Sequence, residues 1–319
     1  MNKNKIIRIG TRDSELALWQ TRWVAQRLRD AFPDHEFSEH SLKTLGDRIL
    51  NQPLNKIGDK GLFTKELDNG LLRGEIDLAV HSLKDIPTEL PPGLTIGAIS
   101  ERWDPRDVLM SKSGAGLKDL PQRAVIATGS LRRTAQLRHF RPDFQIVDLR
   151  GNLNTRFRKY EEADWDGMVL AAAGVERLGW GNRIAERIDS EIMLPAVGQG
   201  SFGIMCREDD RHILEKIARI NHRPSQLATI AERALLRTLE GGCHVPIGAL
   251  GIAGNEELTL SACICSLDGR RYFRDRIEVK LSEGREADVS ERAGVRLAHR
   301  LLALGGREVL DEMHLTTKG

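Results

Sequence analysis

No apolar run among the 319 residues approaches the length of a bilayer span, so a transmembrane helix is not expected. The opening Met1-Asn2-Lys3-Asn4-Lys5 passes directly into the strand-like Ile6 to Ile9 with no signal-peptide core, and a cytoplasmic location is the expectation. Cysteine is scarce. Four residues, Cys206, Cys243, Cys263 and Cys265, are too few for a disulfide framework in a chain this long, which agrees with a reducing compartment. They also make a poor zinc set: Cys263-x-Cys265 has a single intervening residue where zinc turns favour roughly two to four, and no metal is expected. Charge of one sign is missing too. A net charge of +2, from 48 Lys+Arg against 46 Asp+Glu, is too small to argue for nucleic acid on its own, and no nucleic-acid partner is expected.

What the chain does have is arginine, 35 of the 48 basic residues against 13 lysines. Guanidinium groups grip carboxylates in bidentate fashion and an ammonium does not, so arginines clustered at helix starts or strand ends would suit a polyanionic organic ligand. Forty per cent hydrophobic and 29% charged residues are ordinary for a globular protein, and the length suggests two or three domains, each with its own core.

The first hundred residues alternate strand and helix signals. Ile6 to Gly10 reads as a buried strand, Ser14 to Phe32 as an amphipathic helix with Leu16, Trp19, Trp23 and Leu28 inward, and Glu36 to Leu42 as a second strand. Asn51 to Gly61, with its glycines and lysines, reads as a mobile loop; a helix over about Phe63 to Arg73 and a strand over Ile76 to Ser82 follow. This βαβ alternation predicts a mostly parallel sheet. From about Asp107 the pattern restarts, with strands at Ala124 to Thr128, Gln145 to Leu149 and Gly167 to Ala173 and helices at Leu131 to Phe140 and Asn152 to Tyr160. Ser201 to Cys206 reads as a strand returning to the first domain, and helices near Arg211 to Ile220 and Ser225 to Leu239 follow. Strands at Ile247 to Ile252, Glu257 to Cys265 and Arg271 to Val279 and a helix at Val289 to Leu304 describe a small α+β ending. The expected division is 1-100 with a return segment 200-218, 101-199, and 219-319.

Two junctions repeat one chemistry. Ile9-Gly10-Thr11-Arg12-Asp13-Ser14 and Ile126-Ala127-Thr128-Gly129-Ser130-Leu131-Arg132-Arg133 each run from strand through threonine to a serine at a helix start, with arginine nearby. Free backbone N–H groups, a serine hydroxyl and the positive helix end make each junction an anion site, although such a serine is also an ordinary structural cap. Ligands collect beyond the carboxyl ends of strands in open α/β sheets. Asp85, after the strand ending at Ser82, is thus a candidate for acid–base work or for stabilising a cation, with Lys84 and His81 beside it. Arg150 and Arg156 follow the same logic in the second half. Finally, Leu239-Glu240-Gly241-Gly242-Cys243-His244-Val245-Pro246 places one thiol in a tight glycine turn. His244 is adjacent in sequence, which directs its side chain elsewhere and argues against a thiol–imidazole nucleophile.

The segments Arg12-Asp13-Ser14-Glu15-Leu16-Ala17-Leu18-Trp19-Gln20, Lys60-Gly61-Leu62-Phe63-Thr64-Lys65-Glu66-Leu67, Asp77 to Pro87, Ser130-Leu131-Arg132-Arg133, Leu149-Arg150-Gly151-Asn152, Pro195-Ala196-Val197-Gly198-Gln199-Gly200 and the cysteine turn together resemble the porphobilinogen deaminase (hydroxymethylbilane synthase) family. The motifs run in order from about residue 8 to 248, and the remainder fits that family's third domain. The resemblance implies two periplasmic-binding-protein-like α/β domains with a central cleft and a small α+β C-terminal domain. It implies a transferase whose small-molecule substrate is porphobilinogen; a monomer is expected because no long exposed apolar element demands a partner. Four molecules are joined head to tail, each losing ammonia, onto a dipyrromethane cofactor held by a thioether to Cys243, and hydrolysis releases linear hydroxymethylbilane. By position, Asp85 resembles the catalytic aspartate. Ser82, Lys84, Thr128, Ser130, Arg132, Arg133, Arg150 and Arg156 resemble the cofactor- and chain-binding set. Arg12, Ser14, Gln20, Phe63, Arg177 and Gln199 would line the substrate end, and Lys56 and Lys60 would belong to a mobile lid. Gly129 stands where a serine is frequent. A non-catalytic two-domain solute-binding module is the competing expectation, disfavoured by the missing signal peptide and by the third domain with its thiol.

Overall fold

Strands rich in buried aliphatic residues alternate with amphipathic helices through a first unit made of Met1–Arg102 and Ser201–Gln226. The computed structural model describes residues 6–42, 64–239 and 245–317. In the first unit, β1 (Ile7–Thr11), α1 (Glu15–Ala31), β2 (Phe37–Ser41), α2 (Lys65–Leu72), β3 (Leu78–Ser82) and β4 (Leu94–Ile99) are joined by the returning Phe202–Arg207 (β10) and by Arg211–Ile217 (α6). The sheet order is β2-β1-β3-β10-β4. β1 is parallel to β2 and β3, whereas β10 runs antiparallel to both β3 and β4, so the sheet is mixed where βαβ alternation alone predicts a mostly parallel one.

Ser14 caps α1, its Oγ accepting the Ala17 N–H at 3.4 Å. The seam that α1 buries runs through Ala17, Gln20, Thr21, Val24, Ala25 and Leu28. Leu16, Trp19 and Trp23, expected inward, are only half-buried, and the two indoles meet Phe202 edge-on at 6.4 and 5.8 Å. The indoles thus lie beside the buried seam rather than in it. Beneath α2, Leu67, Leu71, Ile76, Ala79, Leu83, Ile86 and Met205 form one continuous core.

The second unit comprises Trp103–Gly200 and Leu227–Gly319. Its first part holds β5 (Asp107–Ser111), β6 (Val125–Ala127), α3 (Leu131–Phe140), β7 (Gln145–Val147), α4 (Leu153–Glu162), β8 (Gly167–Ala171), α5 (Ala172–Arg177) and β9 (Glu186–Arg187). The order β7-β6-β8-β5-β9, with β6 parallel to β7 and β8 and β5 antiparallel to β8 and β9, repeats the first sheet strand for strand. β4, β5 and β9 are not anticipated by the periodicity of the chain.

α7 (Arg223–Thr238) precedes an antiparallel three-stranded sheet of β11 (Ile247–Ala253), β12 (Glu257–Cys265) and β13 (Tyr272–Lys280). α8 (Glu286–Leu301) then breaks at Gly305, φ 118°, and the chain resumes as α9 (Arg307–Thr317), a helix absent from the sequence expectation. Ala231, Leu235, Leu260, Ala262, Leu297 and Leu301 fill the space between helices and sheet. Gly294 of α8 sits so close to α7 that a β-carbon there would meet the Ala231 carbonyl and lie 2.9 Å from Ala234 Cβ, which explains a glycine inside a helix.

Candidate active site

In the first unit, parallel pairing of β1 with β3 puts their carboxyl ends at one edge of the sheet. Arg12 and Ser14 follow β1 there, and the short helical turn Leu83–Asp85 follows β3. Buried Gln20 reaches across from α1, its Nε2 donating to Ser82 Oγ at 2.9 Å. Leu83 and Ile86 are buried on either side of the turn and pin it, and Lys84 and Asp85 are left half-buried between them. The Asp85 carboxylate has no hydrogen-bond or ion-pair partner among the described residues. Held half-exposed on an anchored turn, that carboxylate is accessible to a ligand.

His81, one residue before Ser82, is almost fully buried, and its Nε2 has no partner among the described residues. Burial, assisted by the nearby positive charge of Arg12, pulls its pKa from 6.5 down to about 3. The unfolded chain therefore takes up a proton near pH 6.5 that the folded state refuses. Stability is full above that value and falls as pH drops towards 3, by about 1.4 kcal/mol per pH unit. The melting midpoint is expected to decline between about pH 7 and pH 5, and His81→Gln to flatten that decline. Parallel slopes for the two proteins would assign the acid sensitivity to other groups.

In the second unit, β6 is parallel to both β7 and β8, so the loops after these strands also share an edge. Buried Thr128 accepts the Ser130 N–H at 3.3 Å, and Ser130 caps α3, accepting the Arg133 N–H at 3.5 Å. After β7, Asn152 caps α4, accepting the Thr155 N–H at 2.9 Å. Arg150 pairs with Asp148 at 2.9 Å, and Arg156 Nε donates to the Gly151 carbonyl at 2.7 Å, with Gly151 at φ 119°. The adjacent caps of α3 and α4 thus carry arginines at a pair of helix N-termini, an arrangement that attracts anions.

Asp107, at the head of β5, organises the interior of this edge. Its Oδ2 accepts Arg132 Nη1 at 2.7 Å, and its Oδ1 accepts Arg133 Nη2 at 2.8 Å and Gln199 Nε2 at 2.9 Å. Burial alone would raise the Asp107 pKa, but the two guanidinium groups hold it well below the usual carboxylate range. Further donors of the arginines satisfy the Leu194 and Val169 carbonyls. Gln199 lies on a turn whose Gly198 and Gly200 have φ 73° and 98°. That turn is fastened by buried Glu232 of α7, which accepts the N–H groups of Gly198 and of Gly251 in β11, both at 2.7 Å. Arg177 donates to the Gly200 carbonyl at 2.9 Å and lies 4.5 Å over the Trp103 ring. Burial pulls its pKa down to about 9.

Within the first unit Arg12, Ser14, Gln20, Ser82, Lys84 and Asp85 lie at the carboxyl end of one sheet; within the second, Thr128, Ser130, Arg132, Arg133, Arg150 and Arg156 lie at the carboxyl end of its own sheet, and Arg177 binds the glycine turn that carries Gln199. Cys243, Phe63, Lys56 and Lys60 lie outside the described residues. Asp107 and Glu232 are the residues that sequence reasoning missed. Cys206, Cys263 and Cys265 are buried and free, and burial pushes all three thiols up, Cys206 and Cys265 to about 12. None of the three is a ready nucleophile. No group of three or more metal-ligating side chains occurs among the described residues.

Comparison with known proteins returns two family models in chain order. "Porphobilinogen deaminase, dipyromethane cofactor binding domain" matches residues 7–215 and "Porphobilinogen deaminase, C-terminal domain" residues 226–303. A porphobilinogen deaminase of Desulforamulus reducens is 51% identical over 311 residues, covering 98% of both chains. One from Pelotomaculum thermopropionicum is 52% identical over 304 residues, 95% of this chain and 96% of its own. Among solved structures, the VFT2 domain of BvgS from Bordetella pertussis aligns over 67% of this chain and 86% of its own, at 13% identity and a TM-score of 0.41.

Proposed function

The chain belongs to the porphobilinogen deaminase family, and from that premise we propose how its residues divide the work of building a linear tetrapyrrole. It is a transferase that joins four porphobilinogen molecules head to tail, with loss of ammonia at each addition, and releases hydroxymethylbilane by hydrolysis. Its dipyrromethane cofactor, when bound, supplies the pyrrole carbon to which the first substrate is joined. The near-complete matches favour this enzyme over a non-catalytic solute-binding module.

The donor set suits the cofactor. Each pyrrole ring carries an acetate and a propionate, and the second unit offers two buried guanidinium groups against one carboxylate, with the capped starts of α3 and α4 alongside. Ser130, Arg132, Arg133, Arg150 and Arg156, with Thr128, would grip the acidic arms, and Cys243 would tether the group as a thioether. By their sequence positions Ser82 and Lys84 are proposed cofactor-binding residues as well. Asp85 would accept pyrrole N–H groups and face the positive charge that develops as ammonia departs. What carries its assignment is a carboxylate without a partner among the described residues, on a turn pinned by Leu83 and Ile86. Arg12, Ser14, Gln20, Phe63, Arg177 and Gln199 are proposed to receive incoming porphobilinogen, and Lys56 and Lys60 to belong to a lid. We keep the division into 1-100 with 200-218, 101-199 and 219-319 as a proposal, together with a monomeric state and a cytoplasmic location. No helix among the described residues is long and apolar enough to cross a membrane.

Intact mass of the full chain under denaturing conditions, together with porphobilinogen consumption, tests the reading. The expected mass exceeds the polypeptide by two deaminated porphobilinogen units. An unmodified chain that also leaves porphobilinogen unconsumed would remove it.

A further inference from the structure

We infer that Asp107 is a positioning residue of this site, one that sets Arg132 and Arg133 against the carboxylates of the bound dipyrrole and fixes Gln199 for the incoming substrate; the inference rests on the function proposed above. Asp107 is fully buried and receives four side-chain donors: Arg132 Nη1 at 2.7 Å on Oδ2, and Arg133 Nε at 3.1 Å, Arg133 Nη2 at 2.8 Å and Gln199 Nε2 at 2.9 Å on Oδ1. Three of these come from the first turn of α3 and the fourth from the glycine turn before β10, so one carboxylate orders side chains from two separate segments. Pro105 adds a second acceptor for Gln199, its carbonyl 2.7 Å from the same amide nitrogen.

The charge count gives the arrangement its chemistry. One carboxylate between two guanidinium groups leaves a buried surplus of one positive charge, next to the start of α3 whose N–H groups add further positive potential. A buried cation without a counter-charge is unfavourable, and an acidic arm of the ligand supplies the missing charge. Asp107 thereby tunes the site. With it, the two arginines are locked at fixed spacing and the surplus is single; without it, two adjacent buried cations repel and lose their common hydrogen-bond acceptor. Asparagine has nearly the same shape, but it lacks the charge and turns an amide N–H group towards donors.

Asp107→Asn and Asp107→Glu, expressed beside the wild type, test this by circular dichroism, thermal melting and the dipyrrole-bearing fraction read from intact mass. The Asn variant is expected to keep the wild-type spectrum while its loaded fraction falls at least about tenfold, and the Glu variant, with the charge restored, to recover about a third or more of the loss. An Asn variant loaded like the wild type overturns the inference. So does a Glu variant no better loaded than Asn. If the Asn variant fails to fold, the double variant Asp107→Asn/Arg133→Gln, whose surplus is again a single positive charge, is expected to fold, and its failure overturns the charge balance on which the role depends. The wild-type mass separates the two levels of the argument: a wild type without adduct removes the functional reading and this inference with it, whereas a loaded wild type beside an equally loaded Asn variant removes this inference alone.

Discussion

Asp85→Asn is expected to lower kcat at least about a hundredfold, equivalent to about 2.7 kcal/mol of transition-state stabilisation, with the fold intact and KM little changed. The asparagine side chain has almost the same volume, and the carboxylate it replaces makes no hydrogen bond or ion pair among the described residues, so none of their contacts depends on the lost charge. Leu83 and Ile86 pin the turn independently of Asp85, which keeps the substituted side chain where the carboxylate was. What disappears is a negative charge held where the reacting carbon turns positive as ammonia leaves, together with an acceptor strong enough to hold pyrrole N–H groups. A drop in kcat without a matching rise in KM is the signature of an interaction made in the transition state rather than in ground-state binding. Circular dichroism and the melting midpoint check the fold, and steady-state porphobilinogen consumption checks the rate. Wild-type turnover in a correctly folded Asn variant would exclude the assigned role.

Periodicity and capping chemistry made much of this architecture legible. Strand, small residue, threonine and serine before an arginine-bearing helix announced both helix starts, and Ser14 and Ser130 indeed cap α1 and α3. The same reading found the return strand β10 but not its direction, because alternation of apolar residues reports burial and says nothing about which neighbour a strand meets. β9 is two residues long and β4 follows a proline pair, too little pattern for a period to emerge. Trp19 and Trp23 misled for a related reason: hydrophobicity placed them inward, whereas the buried seam of α1 runs through Ala17, Gln20, Thr21, Val24, Ala25 and Leu28 and leaves the indoles beside it against Phe202.

The two missed residues differ in kind. Glu232 interrupts the stripe of Ala228, Ala231 and Leu235 that α7 buries, and a charge inside an apolar stripe is a visible signal that a buried acceptor is needed there. Asp107 offers less. A carboxylate heading the apolar run Val108-Leu109-Met110 looks like the solvent-facing start of a strand, and nothing local shows that arginines from α3 and a glutamine from the Pro195–Gly200 turn converge on it. Arg132 and Arg133 were legible as arginines at a helix start, but their spacing is set by a partner distant in sequence, which only the fold supplies.

Cys243→Ser is expected to give a folded chain of unmodified mass whose turnover falls to background. A thioether requires a sulfur nucleophile, and a serine hydroxyl is ionised far less readily than a thiol, so the tether is not formed in its place. Relocation to another cysteine is closed off as well: Cys206, Cys263 and Cys265 are buried, with thiols pushed up by desolvation, leaving no accessible thiolate among them. Losing the dipyrrole also removes the anion that balances the surplus charge of Arg132 and Arg133 over Asp107, so the Ser variant is expected to melt below the loaded wild type. Added polycarboxylate should raise the variant's melting midpoint more than the wild type's, because only the variant's site awaits a counter-charge. An adduct of unchanged mass on the Ser variant, or one moved to Cys206, would sever the link between position 243 and the cofactor. A melting midpoint equal to that of the loaded wild type would instead show that the arginines need no acidic ligand to be stable, and the charge surplus would lose its claim to be a binding feature.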